Sequence, residues 1–262
     1  MRLGLIAVGY QCPRLASVLA PWFILKFGLP EEGLNKPKDL DVKISVTTAL
    51  FKERWDMGEK YDNELTENAL NEYLKSKAID YLEVVKKPIL DFESRNYCWN
   101  NIKDWQPDLV LQIDIFDEFY TYSEINNILN FVKNNEFVDW FKINFKNFIN
   151  DEEHWIDGFC PPRIHWNNRH GGIKEWYWDN DLKYNNGLFS PQCSNLEIPK
   201  AKAHVKHLSW CGSEKFLKNK IKYQKKAIEC CSFKWDDNLN KIVLDESYYK
   251  ITKTPLPLIH KI

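Results

Sequence analysis

The segment LVLQIDIFDEFYT, residues 109–121, ends an apolar run in three acids, Asp114, Asp117 and Glu118. Its first half reads as a short apolar β-strand, and open α/β sheets bind ligands at the carboxyl ends of their strands. Carboxylates set so close repel one another. At roughly 4 Å and an effective dielectric of about 20, each like-charge pair costs on the order of 4 kcal/mol. A hard divalent cation offsets that repulsion, and Mg²⁺ or Mn²⁺ takes carboxylate oxygens together with phosphate oxygens. The pattern therefore points to an ion that bridges protein carboxylates to a diphosphate. The same acids also suit the first turn of the helix that follows, so residue types alone leave both uses open.

The elements that must position these acids follow from hydropathy. Residues 3–8 form an apolar run ending at Gly9, a first strand. Leu15, Val18, Leu19, Trp22 and Phe23 share one helical stripe, with Pro21 inside it. Residues 42–47 and 81–85 read as a second and a third strand, the latter closed by Lys86, Lys87 and Pro88. Helices are expected over 64–78 and 91–104, then the acidic strand over 109–113. Thr121 with Glu124 gives a capping box for a helix whose apolar face is Ile125, Ile128, Leu129 and Val132. Residues 138–145 suggest a fifth, aromatic strand. Strands separated by helical crossovers predict an α/β fold, a mainly parallel sheet flanked by helices. From 148 to about 202 the periodicity disappears into Trp, Asn, Gly, Pro and His, which predicts a long functional loop region. Residues 213–226 form a helix with a very basic side, and the last thirty residues read as a short hairpin or tail. The expected division is one domain over 1–235, with a nucleotide-binding half over 1–147 and an acceptor loop region plus basic helix over 148–235, followed by a packed tail over 236–262.

The strand-plus-acids segment resembles the DXD region of glycosyltransferases with the GT-A fold. Its DEFYT run, residues 117–121, is similar to the tail of the DxDEF form found in family-two-like members. In this chain two residues, not one, separate the aspartates, giving the variant DIFDEF. The resemblance implies Asp117 as a direct metal ligand and Asp114 on the nucleotide side. ESRN, residues 93–96, resembles the ARN-type element of these enzymes and implies donor contacts from Arg95 and Asn96; an Arg near a helix start suits a phosphate. It suits equally a pair with a nearby acid. HVKHLSW, residues 204–210, is similar to their C-terminal HxSW segment, with His207 completing the metal or diphosphate site. Val8, Gly9 and Tyr10 occupy the place of the loop that holds base and ribose, where Gly9 permits close backbone approach and Tyr10 could stack on a uracil-like ring.

By this resemblance the fold is a GT-A, Rossmann-like nucleotide-diphospho-sugar transferase. The implied activity moves a sugar from a UDP-type nucleotide donor to a glycan or other hydroxyl acceptor, with Mn²⁺ or Mg²⁺. An inverting reaction needs a carboxylate base; of the acids in the irregular segment, Glu175 and Asp179 within GGIKEWYWDND are the preferred candidates. Trp166, Trp176 and Trp178 could pack against an acceptor sugar. The irregular aspartate spacing favours an alternative, a carbohydrate- or nucleotide-binding protein that keeps the fold without catalysis. A metal-dependent phosphohydrolase is a further one.

Composition closes off other classes. Among 262 residues, 36 Lys+Arg balance 37 Asp+Glu, which leaves no positive field for nonspecific nucleic-acid binding. The chain carries no GxxxxGK phosphate loop, GxGxxG fingerprint or GxSxG elbow. Seven Cys without a CxxC pair suit free thiols in a reducing compartment. The N-terminal MRLGLIAVGY lacks the apolar length and cleavage site of a secretory signal, and no apolar stretch is long enough for a transmembrane segment. The expected location is cytoplasmic.

Overall fold

The computed structural model describes residues 1–9, 26, 40–51, 64–115, 117–178, 180–227 and 231–262. The stripe expected over Leu15 to Phe23 lies outside the described residues, as do Tyr10 and Asp179. In chain order the strands are β1 (Arg2–Gly9), β2 (Asp41–Phe51), β3 (Tyr81–Ile89), β4 (Leu109–Asp114), β5 (Glu118–Phe119), β6 (Trp140–Lys142), β7 (Asn144–Ile149), β8 (His154–Asp157), β9 (Pro162–Trp166), β10 (Ile173–Trp176), β11 (Leu182–Tyr184), β12 (Asn195–Glu197), β13 (His204–Trp210), β14 (Phe233–Asp236), β15 (Lys241–Leu244) and β16 (His260–Lys261). The helices are α1 (Glu64–Lys75), α2 (Asp91–Ile102), α3 (Tyr122–Lys133), α4 (Glu214–Ala227) and α5 (Glu246–Thr252).

A seven-stranded sheet runs β12-β6-β9-β4-β1-β2-β3, with β9 alone antiparallel to its neighbours. Alternation along β1 sorts its side chains between two cores. Leu3, Leu5 and Ala7 pack with Leu70 of α1 and with Ile125, Ile128, Leu129 and Val132 of α3. Ile6 and Val8 face Cys98, Trp99 and Ile102 of α2 and the β10–β11 hairpin on the other side. Both faces are thus covered, as a mainly parallel sheet requires. At Gly4 an added Cβ would lie 2.8 Å from Ile102, so the missing side chain lets α2 approach the sheet. The capping box of α3 is formed as the sequence implies: Thr121 Oγ1 accepts from the Glu124 N–H at 3.2 Å, and Glu124 Oε2 accepts from the Thr121 N–H at 2.9 Å.

A second sheet, β16-β8-β7-β13-β5, stands beside the first. The single strand expected over 138–145 is two strands, because the chain leaves the first sheet after Lys142 and enters the second at Asn144. Ile143 makes that crossing, its N–H held by the Pro161 carbonyl at 3.1 Å. The stretch from 148 to 202, expected to be irregular, carries β8 to β12. Its strands are short and rich in polar and aromatic residues, so no two-residue hydropathy period develops. The third strand continues past Lys86 and Lys87 to Ile89 through an irregular register with β2, because Lys86 and Lys87 lie exposed on it. A domain limit after residue 235 falls inside β14, and the β14–β15 hairpin shares a core with α4 through Leu217, Ile221, Phe233 and Ile242. The division at 147 likewise falls inside β7.

His165 of β9 is fully buried, stacks on Trp140 with ring centroids 6.1 Å apart, and has no hydrogen-bond partner on either ring nitrogen. Burial, reinforced by Arg163 and Arg95, pushes its pKa down to about 3. Below its ordinary value near 6.5 the unfolded chain therefore binds a proton that the folded chain refuses. The contribution is fully present above that value and is lost as pH falls toward 3. Urea denaturation between pH 7 and 4 should show stability declining with acid, and the His165→Phe variant should show a shallower decline.

Candidate active site

Strand order reverses at β1: the chain proceeds from β1 to β2 and β3 on one side, then returns to place β4 on the other. The carboxyl ends of β1 and β4 therefore flank the switch point where α/β sheets bind ligands. In register, Val8 lies opposite Asp114. The Asp114 carboxylate is set there by two guanidinium groups. Arg95 Nη2 donates to Oδ1 at 2.9 Å, and Arg163 Nη2 donates to Oδ2 at 2.9 Å.

Behind Asp114 the ionic network is closed to water. Glu118 is 0% exposed, and its Oε1 accepts from Arg163 Nε at 3.0 Å, from Arg163 Nη2 at 2.6 Å and from the Asp114 N–H at 3.1 Å. Its Oε2 accepts from the Tyr120 hydroxyl at 2.8 Å. Arg95 also pairs with Asp91, one turn earlier on α2, at 2.9 Å. Arg163 reaches the Asn180 side chain and lies over the Phe145 ring. Two guanidiniums thus face the carboxylates of Asp91, Asp114 and Glu118, which leaves one negative charge in excess while Glu118 is ionised. Asp114, with 33% of its side chain exposed, is where this network meets solvent.

The two neighbouring carboxyls are driven apart. Burial would raise Asp114, but Arg163 and Arg95 outweigh it and hold the carboxyl well below the usual range. For Glu118 burial wins: against Arg163, and with Asp114 adding its repulsion, the carboxyl is pushed up to about 7.

His207 of β13 pairs with Glu118 of β5 in antiparallel register. Its ring stacks on Phe145 at 5.0 Å, and Nδ1 lies 2.6 Å from Asn147 Oδ1. An amide oxygen only accepts, so Nδ1 carries the proton and Nε2 keeps its lone pair. Burial, helped by Lys220 and opposed by Asp114, pushes the pKa down to about 3, so the imidazole is neutral. An added Cβ at Gly158 would come within 2.9 Å of the Asn147 side chain, so the glycine leaves room for this amide. Asp117 sits in the turn between β4 and β5. Its N–H donates to the Asp114 carbonyl at 3.0 Å, and its own carbonyl accepts from the Leu208 N–H at 2.8 Å. The backbone thereby ties Asp117 to Asp114 on one side and to β13, next to His207, on the other.

Set beside solved structures, the chain aligns with that of S. aureus TarS 1–349 at a TM-score of 0.46 and 11% identity, over 87% of this chain and 72% of that one. The complex of TarS 1–349 with UDP aligns at 0.45 and 12% identity, over 87% of this chain and 66% of that one. For a longer TarS structure the values are 0.44 and 11%, and this chain spans only 39% of its length. No protein-family model matches the chain, and no curated protein matches it in sequence.

The remaining sequence candidates take varied places. Arg95 is neither an exposed ligand for phosphate nor a surface pair. It lies inside the protein, with Asp91 and Asp114 as partners and Nη1 buried without one. Asn96 spends its amide on the backbone of Trp176, donating to its carbonyl at 2.7 Å and accepting from its N–H at 2.8 Å. It therefore docks β10 on α2. Trp176 is 1% exposed, and its indole N–H donates to Gln112 Oε1 at 2.7 Å. Trp166 is buried as well. Neither tryptophan offers a face to an acceptor, because both fill the core that covers the sheet. Trp178, at 63% exposed, does offer one. Glu175 is half exposed, with Lys174 at 3.9 Å. Val8 is buried, and its carbonyl accepts from the Ile115 N–H at 2.9 Å.

Sequence reasoning missed Arg163. Its strand lies in the segment without periodicity, and nothing local marks an arginine destined to be buried 45 residues beyond its acid. The strand PRIHW between two loops was the available signal.

Removing one partner of such a buried pair leaves uncompensated charge, at about 3–5 kcal/mol. Arg163→Ala should lower unfolding free energy by about that amount in urea titrations. Replacing both partners, as in Arg163→Met with Glu118→Gln, should recover part of the loss.

Proposed function

We propose that this chain is a metal-dependent glycosyltransferase of the GT-A type. It moves a sugar from a UDP-type nucleotide donor to the hydroxyl of a glycan or other acceptor. One observation carries the reading: the Asp114 carboxylate, clamped by Arg95 and Arg163, is the solvent-facing end of a buried charge network at the switch point of the sheet, next to Asp117 in the chain and near the strand of His207. The DIFDEF and HLSW segments noted in the sequence contain Asp114, Asp117 and His207 and support the same reading.

The donor set suits a hard divalent cation. Asp117 and His207 would hold Mn²⁺ or Mg²⁺, with Asp114 on the nucleotide side, and the ion would neutralise charge developing on the departing diphosphate. Arg95 and Arg163 keep Asp114 ionised and fix the plane of its carboxylate. Asn147 orients His207 by occupying Nδ1, which leaves Nε2 as the ligating atom. The excess negative charge of the network, unfavourable to a bare diphosphate, is matched once a dication is present. At the end of β1, Val8, Gly9 and Tyr10 would take base and ribose. Glu175, half exposed, is the proposed base for the acceptor hydroxyl, with Asp179 as its alternative, and Trp178 is the proposed acceptor contact.

A second reading, nucleotide or carbohydrate binding without transfer, draws on two facts. Both Asp114 oxygens already accept from an arginine, and among the described residues Asp114, Asp117 and His207 are not a group whose ligand atoms lie within 4.8 Å of one another.

Calorimetric titration with UDP, with and without Mn²⁺, tests the first reading. UDP should bind only in the presence of Mn²⁺, and Asp117→Asn or His207→Ala should weaken binding by about tenfold or more. Equal binding without the metal, or no effect of either substitution, defeats the metal site. Release of UDP from a UDP-hexose separates transfer from binding alone.

A further inference from the structure

We propose that Asp139, His170 and Cys193 form a zinc site at the end of the seven-stranded sheet opposite to Asp114, independent of the sugar-transfer reading. The placement follows from register. The Asp139 carbonyl accepts from the Trp166 N–H at 3.0 Å, and Trp166 lies opposite Leu109, the first residue of β4. Asp114 ends that strand, five residues and about 17 Å further on.

Three loops converge on the cluster. Asp139 precedes β6, His170 sits in the turn between β9 and β10, and Cys193 follows the short helical turn Ser190–Gln192 ahead of β12. Ligand atoms of the three side chains all lie within 4.8 Å of one another. His170 Nε2 is 3.0 Å from Asp139 Oδ1. The other carboxylate oxygen is fixed by Ser194, whose N–H and hydroxyl donate to Oδ2 at 2.9 and 2.5 Å. That leaves Oδ1 oriented toward the cluster. Tetrahedral zinc, with bonds of about 2.0–2.3 Å, sets its ligands roughly 3.3–3.8 Å apart. Small side-chain adjustments therefore suffice. Carboxylate oxygen, imidazole nitrogen and thiolate sulfur together select zinc over Mg²⁺ or Ca²⁺, which avoid sulfur.

A second observation lies beside the cluster. Tyr184 is 0% exposed, and its hydroxyl is buried without a hydrogen-bond partner. The Tyr184 ring lies 5.0 Å from that of His170. A dry, unpaired hydroxyl is unfavourable inside a protein. Zinc offers it a role, either as fourth ligand or as acceptor for a metal-bound water. In the protein without metal the Cys193 thiol donates to the Phe189 carbonyl at 3.4 Å. On binding, the thiol passes its proton to bulk water as the sulfur–zinc bond forms, with no change of oxidation state. With three protein ligands drawn from three loops, the site would pin those loops together, as structural zinc does.

The test is metal loading of the full chain. After incubation with zinc and dialysis, mass spectrometry should find one zinc per chain, and Co²⁺ in its place should give thiolate-to-cobalt charge-transfer absorption. Cys193→Ser should abolish that absorption and weaken zinc binding about tenfold or more, while Cys160→Ser leaves both unchanged. Zinc should raise the melting temperature of the parent protein and not that of Cys193→Ser. His170→Gln, at a partly exposed position, supplies the same comparison where Cys193→Ser does not fold. Zinc that leaves on dialysis, a cobalt spectrum without the charge-transfer band, or loading unchanged by both Cys193→Ser and His170→Gln overturns the proposal.

Discussion

The guanidinium of Arg163 is the group around which the rest is arranged. It donates to Asp114 at the end of β4 and to Glu118 at the start of β5, and so spans the point where the chain leaves the first sheet for the second. Without it two carboxylates would face each other with little water. With it, one is held ionised at the surface and the other is kept inside. Arg95 completes the arrangement from α2, and its partner Asp91 at the first turn of that helix also suits the positive end of the helix dipole.

This solution differs from the one suggested by the acids alone. Repulsion among clustered carboxylates implied a cation, and the fold answers much of that repulsion with arginines drawn from distant segments. The cation of the proposed transfer is then required by the diphosphate rather than by the protein's own charges. That ordering gives the site a standing geometry of its own, set by β4, β9 and α2.

Much of the first half was legible because local patterns and tertiary packing agree there. The apolar run of β1, the period of α3 and its Thr121–Glu124 box each appear where hydropathy and capping chemistry place them. Legibility failed where burial is polar. α2 buries Ser94, Arg95 and Cys98 beside Trp99 and Ile102, so its inner face does not read as an apolar stripe, and Arg95 could not be distinguished from a surface residue. The second half failed for a different reason. Its strands are two to seven residues long, and several take pairing partners from across the chain, as with β9 between β4 and β6. Trp166 and Trp176, which looked like ligand platforms in a loop, are the covering that such short strands place over the sheet.

Ile143 joins β6 to β7 without a turn, so one continuous stretch of backbone belongs to both sheets. Phe145 and Asn147, which seat His207, lie just beyond that junction, while Phe141 pairs with Ile164 beside Arg163 just before it. The junction therefore works as a rigid calliper: the gap between the arginine-clamped carboxylate and the imidazole is measured along a few residues of extended chain. A twist of one sheet against the other would have to bend that stretch, which ties the aperture of the site to the course of the backbone as well as to the arginine clamp.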